Sequence, residues 1–150
     1  MYPVLIIAAV IILDQFTKFL VNTRLVPIGE YIVIPGLLEF TYVQNRGIAF
    51  GMFQDLRWFF VTVTSIIAIV VLIFIFKMFK KYFFYTICLS LIFGGAIGNI
   101  IDRIRFGYVT DFIHFSFFPP VFNIADSAVV VGAIALSIAI LFTKEDKIIG

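Results

Sequence analysis

Long apolar runs and short polar clusters alternate along this chain. Trp58 to Phe76, WFFVTVTSIIAIVVLIFIF, carries no charge. Tyr82 to Ile101, YFFYTICLSLIFGGAIGNII, carries none either, and Val121 to Phe142 carries one, Asp126. Another run, about residues 3–22, is apolar to Leu13 and then turns polar in DQFTK. A helix needs about 20 mostly apolar residues to cross a bilayer. The pattern therefore predicts four membrane helices, over about 3–22, 58–76, 82–101 and 121–142.

The intervening stretches, an outer segment over about 23–57 and an outer loop over about 102–120, have their own periodicities. LEFTYV, residues 38–43, alternates as a strand does, after a Pro35-Gly36 turn. GIAFGMFQDLRWFF has no clean period and is expected to include a short interfacial helix. RFGYVTDFIHF predicts a strand after Gly107. Tyr108, Thr110, Phe112 and His114 share one face; Val109, Asp111, Ile113 and Phe115 share the other. The opening MYPVLIIAAVIIL lacks the basic segment and cleavage site of a signal peptide and is expected to stay as a membrane helix. The expected fold is an all-α polytopic membrane protein of one domain, residues 1–150, with a small outer β-rich segment.

Composition agrees with that class. The chain is 63% hydrophobic and 13% charged, against about 45–50% and about 25% in soluble domains. A net charge of +2 without a basic stripe gives no reason to expect nucleic acid. One Cys and one His supply neither a disulfide nor a structural zinc site, so no metal and no cofactor is expected. Lys77, Lys80, Lys81, Lys144 and Lys147 gather on the side that holds both termini, which the positive-inside rule makes cytoplasmic. Arg24, Arg46, Arg57, Arg103 and Arg105 fall opposite, spread among acids. Asp14, Lys18, Asn99, Asp102, Arg103, Asp111, Asn123 and Asp126 then gather toward the outer face, and the inner half is nearly blank. Polar groups at membrane depth mark a functional interior.

Each cluster has a plain reading beside a chemical one. Asp14 and Lys18, one turn apart, form an i,i+4 pair that neutralises two charges. Gly94 and Gly98 have the spacing of close helix packing. Asn99 and Arg103 shape either a site or the bundle, and Asp102 beside Arg103 reads as a surface pair. In FNIADS, Asn123 is a good N-cap and Asp126 can reach back to it. Asp111 stands on an apolar face without a basic neighbour, where burial favours the protonated acid. Together, Asp111 and Asp126 supply two carboxylates on one side of the membrane. Such a pair can share one proton and so offer a base for water and an acid for a carbonyl. A Ser-His-Asp triad would need the sole histidine, His114. A Ser–Lys dyad would need Lys18, which already has Asp14.

DQFTK, NRGIAFG, GGAIGNIIDR, GYVTDF and FNIADS, in that order, resemble the lipoprotein signal peptidases (signal peptidase II) of bacteria, over about residues 14–127. The resemblance implies an aspartyl endopeptidase of the cytoplasmic membrane that removes the signal peptide of prolipoproteins. It would cut before the diacylglyceryl-modified cysteine, with its site toward the outer face and both termini cytoplasmic. The family's dyad matches Asp111 and Asp126. Its other site residues match Asp14, Lys18, Asn45, Gly47, Asn99, Arg103 and Asn123, which would hold the dyad, the substrate backbone or the outer segment. The expected partners are lipid-modified prolipoproteins, membrane lipid and, as inhibitors, globomycin-type peptide antibiotics. Ile48 and Pro119 depart from the family's usual residues. The rival readings are a small transporter or channel subunit using Asp14–Lys18 and Asp126, and a non-enzymatic scaffold packing through Gly94 and Gly98.

Overall fold

The structure is a computed structural model, and it describes residues 1–47 and 56–142. In chain order, helix α1 is Tyr2–Leu20 and runs into a π-helical turn, Val21–Leu25. Strands β1 (Glu30–Ile34) and β2 (Leu38–Asn45) follow, then helices α2 (Arg57–Met78) and α3 (Phe83–Phe106). Strands β3 (Val109–Phe115) and β4 (Phe118–Phe122) lead into helix α4 (Ile124–Phe142). The four helices are long and apolar enough to cross a membrane.

The bundle is apolar outside and polar within, as a protein in lipid requires. Ile66, Ile69, Phe76, Ile134 and Leu141 are exposed, while Asp14, Lys18, Asp102 and Asn123 are buried. Helix α3 is the centre and packs against α1, α2 and α4. Its glycines set the approach, because lipid offers no hydrophobic drive between helices and close backbone contact must replace it. A Cβ on Gly94 would lie 2.9 Å from Val10 Cβ of α1, and one on Gly95 would run into the Ala125 carbonyl of α4. Across from them, a Cβ on Gly132 would lie 2.8 Å from the Cys88 carbonyl. The buried hydroxyls of Thr86 and Ser90 bond back to carbonyls of α3 or its cap, Tyr82 and Thr86.

The strands form one antiparallel sheet in the order β1-β2-β3-β4. Phe112 packs with Val21 and Leu25 of the π-helical turn, joined by Phe40, Tyr42 and Ile124. This cluster fixes the sheet to the end of the bundle. Because strand side chains alternate, anchoring Phe112 sends Asp111 to the opposite face.

Several boundaries differ from the sequence reading. Helix α3 continues to Phe106, so Asp102 and Arg103 lie on a helix and not in an outer loop. Gly107 ends it with a φ of +84°, a left-handed cap. Helix α4 starts at Ile124, and Val121 and Phe122 belong to β4. Pro119 and Pro120 fit that strand because it is an edge strand, where a missing N–H leaves no partner unmet. The first helix runs through DQFTK as the expected span of about 3–22 implies, with Asp14 and Lys18 buried. Strand β1 was not expected: all five of its residues are exposed, so it shows no alternation of burial. The interfacial helix expected in GIAFGMFQDLRWFF falls mostly on residues 48–55, outside the described residues, as do Ile48, Lys144 and Lys147.

Candidate active site

Two elements converge at the sheet end of the bundle, each carrying an aspartate. Strand β3 carries Asp111, which is 2% exposed. It pairs with β2 so that Asp111 lies opposite Val43 and Val109 opposite Asn45. Asn45 Nδ2 reaches Asp111 Oδ2 at 2.9 Å. The first turn of α4 carries Asp126. Here the capping box forms as the N-x-x-D spacing predicts. The Asp126 N–H donates to Asn123 Oδ1 at 2.8 Å, and the Asn123 N–H donates to Asp126 Oδ2 at 3.3 Å. Asp126 therefore caps with one oxygen and keeps the other, Oδ1, for Asn99 Nδ2 at 2.7 Å.

Three asparagine amides face the two carboxylates, and each has its orientation set by a donor that cannot reverse. The Gly47 N–H holds Asn45 Oδ1 at 3.1 Å. The Asp126 N–H holds Asn123 Oδ1. The Lys18 ammonium holds Asn99 Oδ1 at 3.1 Å. Each amide must then turn its NH2 toward the acids. Asn123 Nδ2 donates to Asp111 Oδ1 at 2.6 Å and to Asn99 Oδ1 at 3.2 Å. A continuous chain of contacts thus runs Asp111–Asn123–Asn99–Asp126.

Lys18 sits behind this chain, 3% exposed. Its ammonium lies 2.8 Å from Asp14 Oδ2 and 2.9 Å from Asp102 Oδ2. Asp14, fully buried, also accepts the Ala125 N–H of α4 on Oδ1 at 3.0 Å. It therefore satisfies one of the N–H groups that a helix start leaves open, and it ties α1 to the helix that bears Asp126. Beyond neutralising Lys18, the Asp14 carboxylate fixes the start of α4.

Asp102 corrects a second expectation. It is not a surface partner of Arg103 but is 1% exposed, bonded to Gln15 Nε2 and the Thr110 N–H. Adjacent helix residues point in different directions, so Asp102 faces α1 while Arg103 faces the cavity. The spacing held the signal. Gly94, Gly98 and Asp102 recur every fourth residue, which puts Asp102 on the same packed stripe. Gln15 offered no comparable signal.

A cavity of about 840 Å³ opens over the two acids. Asn45, Gly47, Asn99, Arg103, Asp111 and Asp126 line its polar end, and Phe60, Ile67, Ile92, Val129 and Val130 line an apolar flank. Asp14 and Lys18 stand behind the wall, as does Asn123 through its amide. Arg103 lies over the Phe60 ring at 5.6 Å, with Nη2 3.5 Å from the Gly47 carbonyl. Pro119, one of the departures, borders the cavity from β4. Burial and then the nearby charge of Asp126 push the Asp111 carboxyl up to about 7, against the opposing hydrogen bonds from Asn45 and Asn123. Among the described residues, no three His, Cys, Asp or Glu side chains converge as metal ligands do.

A family model described as Signal peptidase (SPase) II matches residues 6–142. The lipoprotein signal peptidase of Caldanaerobacter subterraneus subsp. tengcongensis is 50% identical over 139 residues, 93% of this chain and 95% of that protein. That of Halothermothrix orenii is 43% identical over 141 residues, 94% of this chain and 95% of its own. Two solved structures of bacterial membrane enzymes also resemble the fold. One has a TM-score of 0.88 at 37% identity and covers 99% of this chain and 93% of its own. The other has 0.85 at 39% identity and covers 95% and 94%. With these likenesses spanning all four helices and the sheet, the chain belongs to the signal peptidase II family.

Proposed function

We propose that this peptidase removes the signal peptide of prolipoproteins with Asp111 and Asp126 as its catalytic dyad. The observation that carries the assignment is convergence. The two carboxylates line one cavity and are joined by amides whose N–H groups all point at them. With the Asp111 carboxyl raised to about 7, a proton is available for the pair to share near neutral pH. The ionised carboxylate takes a proton from water as that water's oxygen bonds to the scissile carbonyl carbon. The protonated carboxyl donates to the carbonyl oxygen, giving a tetrahedral diol. A proton then passes from the dyad to the leaving nitrogen; as the C–N bond breaks, a diol hydroxyl gives its proton to the dyad, so the products are a carboxylic acid and an amine and the dyad is again singly protonated. Neither a metal nor a covalent intermediate enters these steps.

The substrate side follows from the walls. The leaving nitrogen belongs to the diacylglyceryl-modified cysteine, whose acyl chains fit the apolar flank formed by Phe60, Ile67, Ile92, Val129 and Val130. Arg103 and Gly47 would hold the substrate backbone beside the dyad, and globomycin-type peptides would compete for the same space. The basic link between α2 and α3, with Lys77, Lys80 and Lys81, supports a cytoplasmic position for that end and for both termini. The dyad, at the other end of α3, then faces the outer leaflet, where the substrate's lipid resides.

The test is cleavage of a diacylglyceryl-modified precursor in membranes holding equal amounts of Asp111→Asn or Asp126→Asn protein. Each should lose at least about 10²–10⁴-fold in rate. Full activity in either variant overturns the dyad. Ion flux in proteoliposomes, with no cleavage, would favour the transporter reading.

A further inference from the structure

Among the described residues, one hydroxyl lines the cavity, that of Thr64 on α2. Thr64 is half-buried, and its Oγ1 has no hydrogen-bond partner among those residues. Other helix hydroxyls are spent on the turn before them. Thr17, Thr86, Ser90, Ser127 and Ser137 each donate to the carbonyl four residues earlier. The depth of Thr64 follows from its neighbours. Arg103 of α3 lies over the Phe60 ring, which sets the level of Phe60 at the polar end. Thr64 is one turn further along the same face of α2, about 6 Å deeper. Beyond it the wall is apolar, through Ile67, Ala96, Ile92 and Val130. Ile67 is 52% exposed and Val130 47%, so this flank opens sideways to the bilayer.

We infer that Thr64 reads the lipid of the substrate, by donating a hydrogen bond to an ester carbonyl of the diacylglyceryl group. This rests on the peptidase reading above. An ester carbonyl accepts and never donates, so it needs a donor once it leaves water. The other donors on the wall are engaged or lie outward. Asn45 and Asn99 turn their NH2 groups to the two acids. Gln44 donates to Tyr42, Arg103 reaches the Gly47 carbonyl, and Arg46 follows the end of β2. Thr64 supplies a donor where the polar end gives way to the apolar flank, and the alkyl chains continue past Ile67 and Val130 into lipid. A few polar groups placed in an apolar pocket are what orient a ligand there. A phosphate or a sugar would ask for several donors at this depth; one neutral hydroxyl suits a neutral ester.

The test is steady-state cleavage of two synthetic precursor peptides by the full-length protein at fixed detergent. One carries diacylglyceryl cysteine. The other carries a dialkylglyceryl cysteine, whose chains are joined through ethers and have no carbonyl. Thr64→Val removes the hydroxyl and keeps the branched shape. It should raise KM for the diester about fivefold, the worth of one neutral hydrogen bond, with kcat little changed. KM for the diether should stay as in the wild type, and Thr64→Ser should keep wild-type values for both. Equal effects of Thr64→Val on the two peptides would assign the hydroxyl to the peptide or to the fold and overturn the inference. Unchanged KM for both would overturn it as well, as would a Ser variant that behaves like Val. Should Thr64→Val fail to accumulate, Thr64→Ala carries the same expectation. Binding of the two peptides to Asp111→Asn protein, with and without Thr64→Val, repeats the comparison without cleavage. Cleavage by Asp111→Asn would overturn the dyad and leave the Thr64 comparison standing; a silent Asp111→Asn with equal binding losses for both peptides would remove the Thr64 inference alone.

Discussion

At the scale of single residues, the site depends on donors whose direction is fixed. Asn45 is held by the Gly47 N–H and presents Nδ2 to Asp111. That hydrogen bond favours the ionised acid, so removing it in Asn45→Ala should raise the Asp111 carboxyl further. The high-pH limb of activity should move upward; a limb that stays in place would count against this role. The same carboxyl affects folding. Its folded value, about 7, lies above the ordinary 3.8 of an aspartate in water, so the folded state binds the proton more tightly than the unfolded chain does. Stability from this group is present below pH 3.8 and is lost as pH rises toward 7. Its upper bound is on the order of a few kcal/mol. Thermal unfolding in detergent should show that slope in the wild type and lose it in Asp111→Asn. The sequence made Asp111 visible as an acid on an apolar face without a basic neighbour, and Asp126 as the acid of an N-x-x-D cap. It placed Asp102 at the surface beside Arg103 and gave Gln15 no role, because their partners are a backbone N–H and side chains on other elements.

At the scale of elements, the glycines of α3 determine how closely the aspartates' supports approach. A Cβ at Gly98 would come 2.7 Å from Asp14 Oδ2 and 3.2 Å from Ala125 Cβ. Gly98→Ala should therefore disturb α1 and α4 together, with a destabilisation of about 1–3 kcal/mol and slower cleavage. Unchanged melting and cleavage would mean that the contact relaxes freely. Leu38–Asn45 was legible as a strand because LEFTYV alternates, and the cap of α4 was legible in Asn123, although hydropathy alone carried the span back to residue 121. Strand β1 and the last turn of α3 were not. An edge strand exposed throughout has no burial period. Polar residues at a helix end look like a loop until another helix covers them.

At the scale of the whole molecule, four apolar spans with one polar end make a device that works at the membrane surface and is anchored through it. The helices were readable from hydropathy alone, since lipid leaves a helix few other choices. The cavity was not, because its walls come from β2, β3, β4 and three helices far apart in sequence. The proposed topology predicts that single cysteines at Lys80 and at Phe117, in a Cys88→Ser background, react with a membrane-impermeant thiol reagent from opposite sides of intact cells. Labelling of both from one side would reverse or break the assignment. The central claim is that two carboxylates share one proton during catalysis. Its most direct test is the pH dependence of kcat/KM for the diacylglyceryl-cysteine precursor. A bell is expected, falling at low pH when both acids are protonated and above about 7 as the last proton leaves. A rate that keeps rising through pH 9 would contradict it, since a doubly ionised dyad has no acid to give.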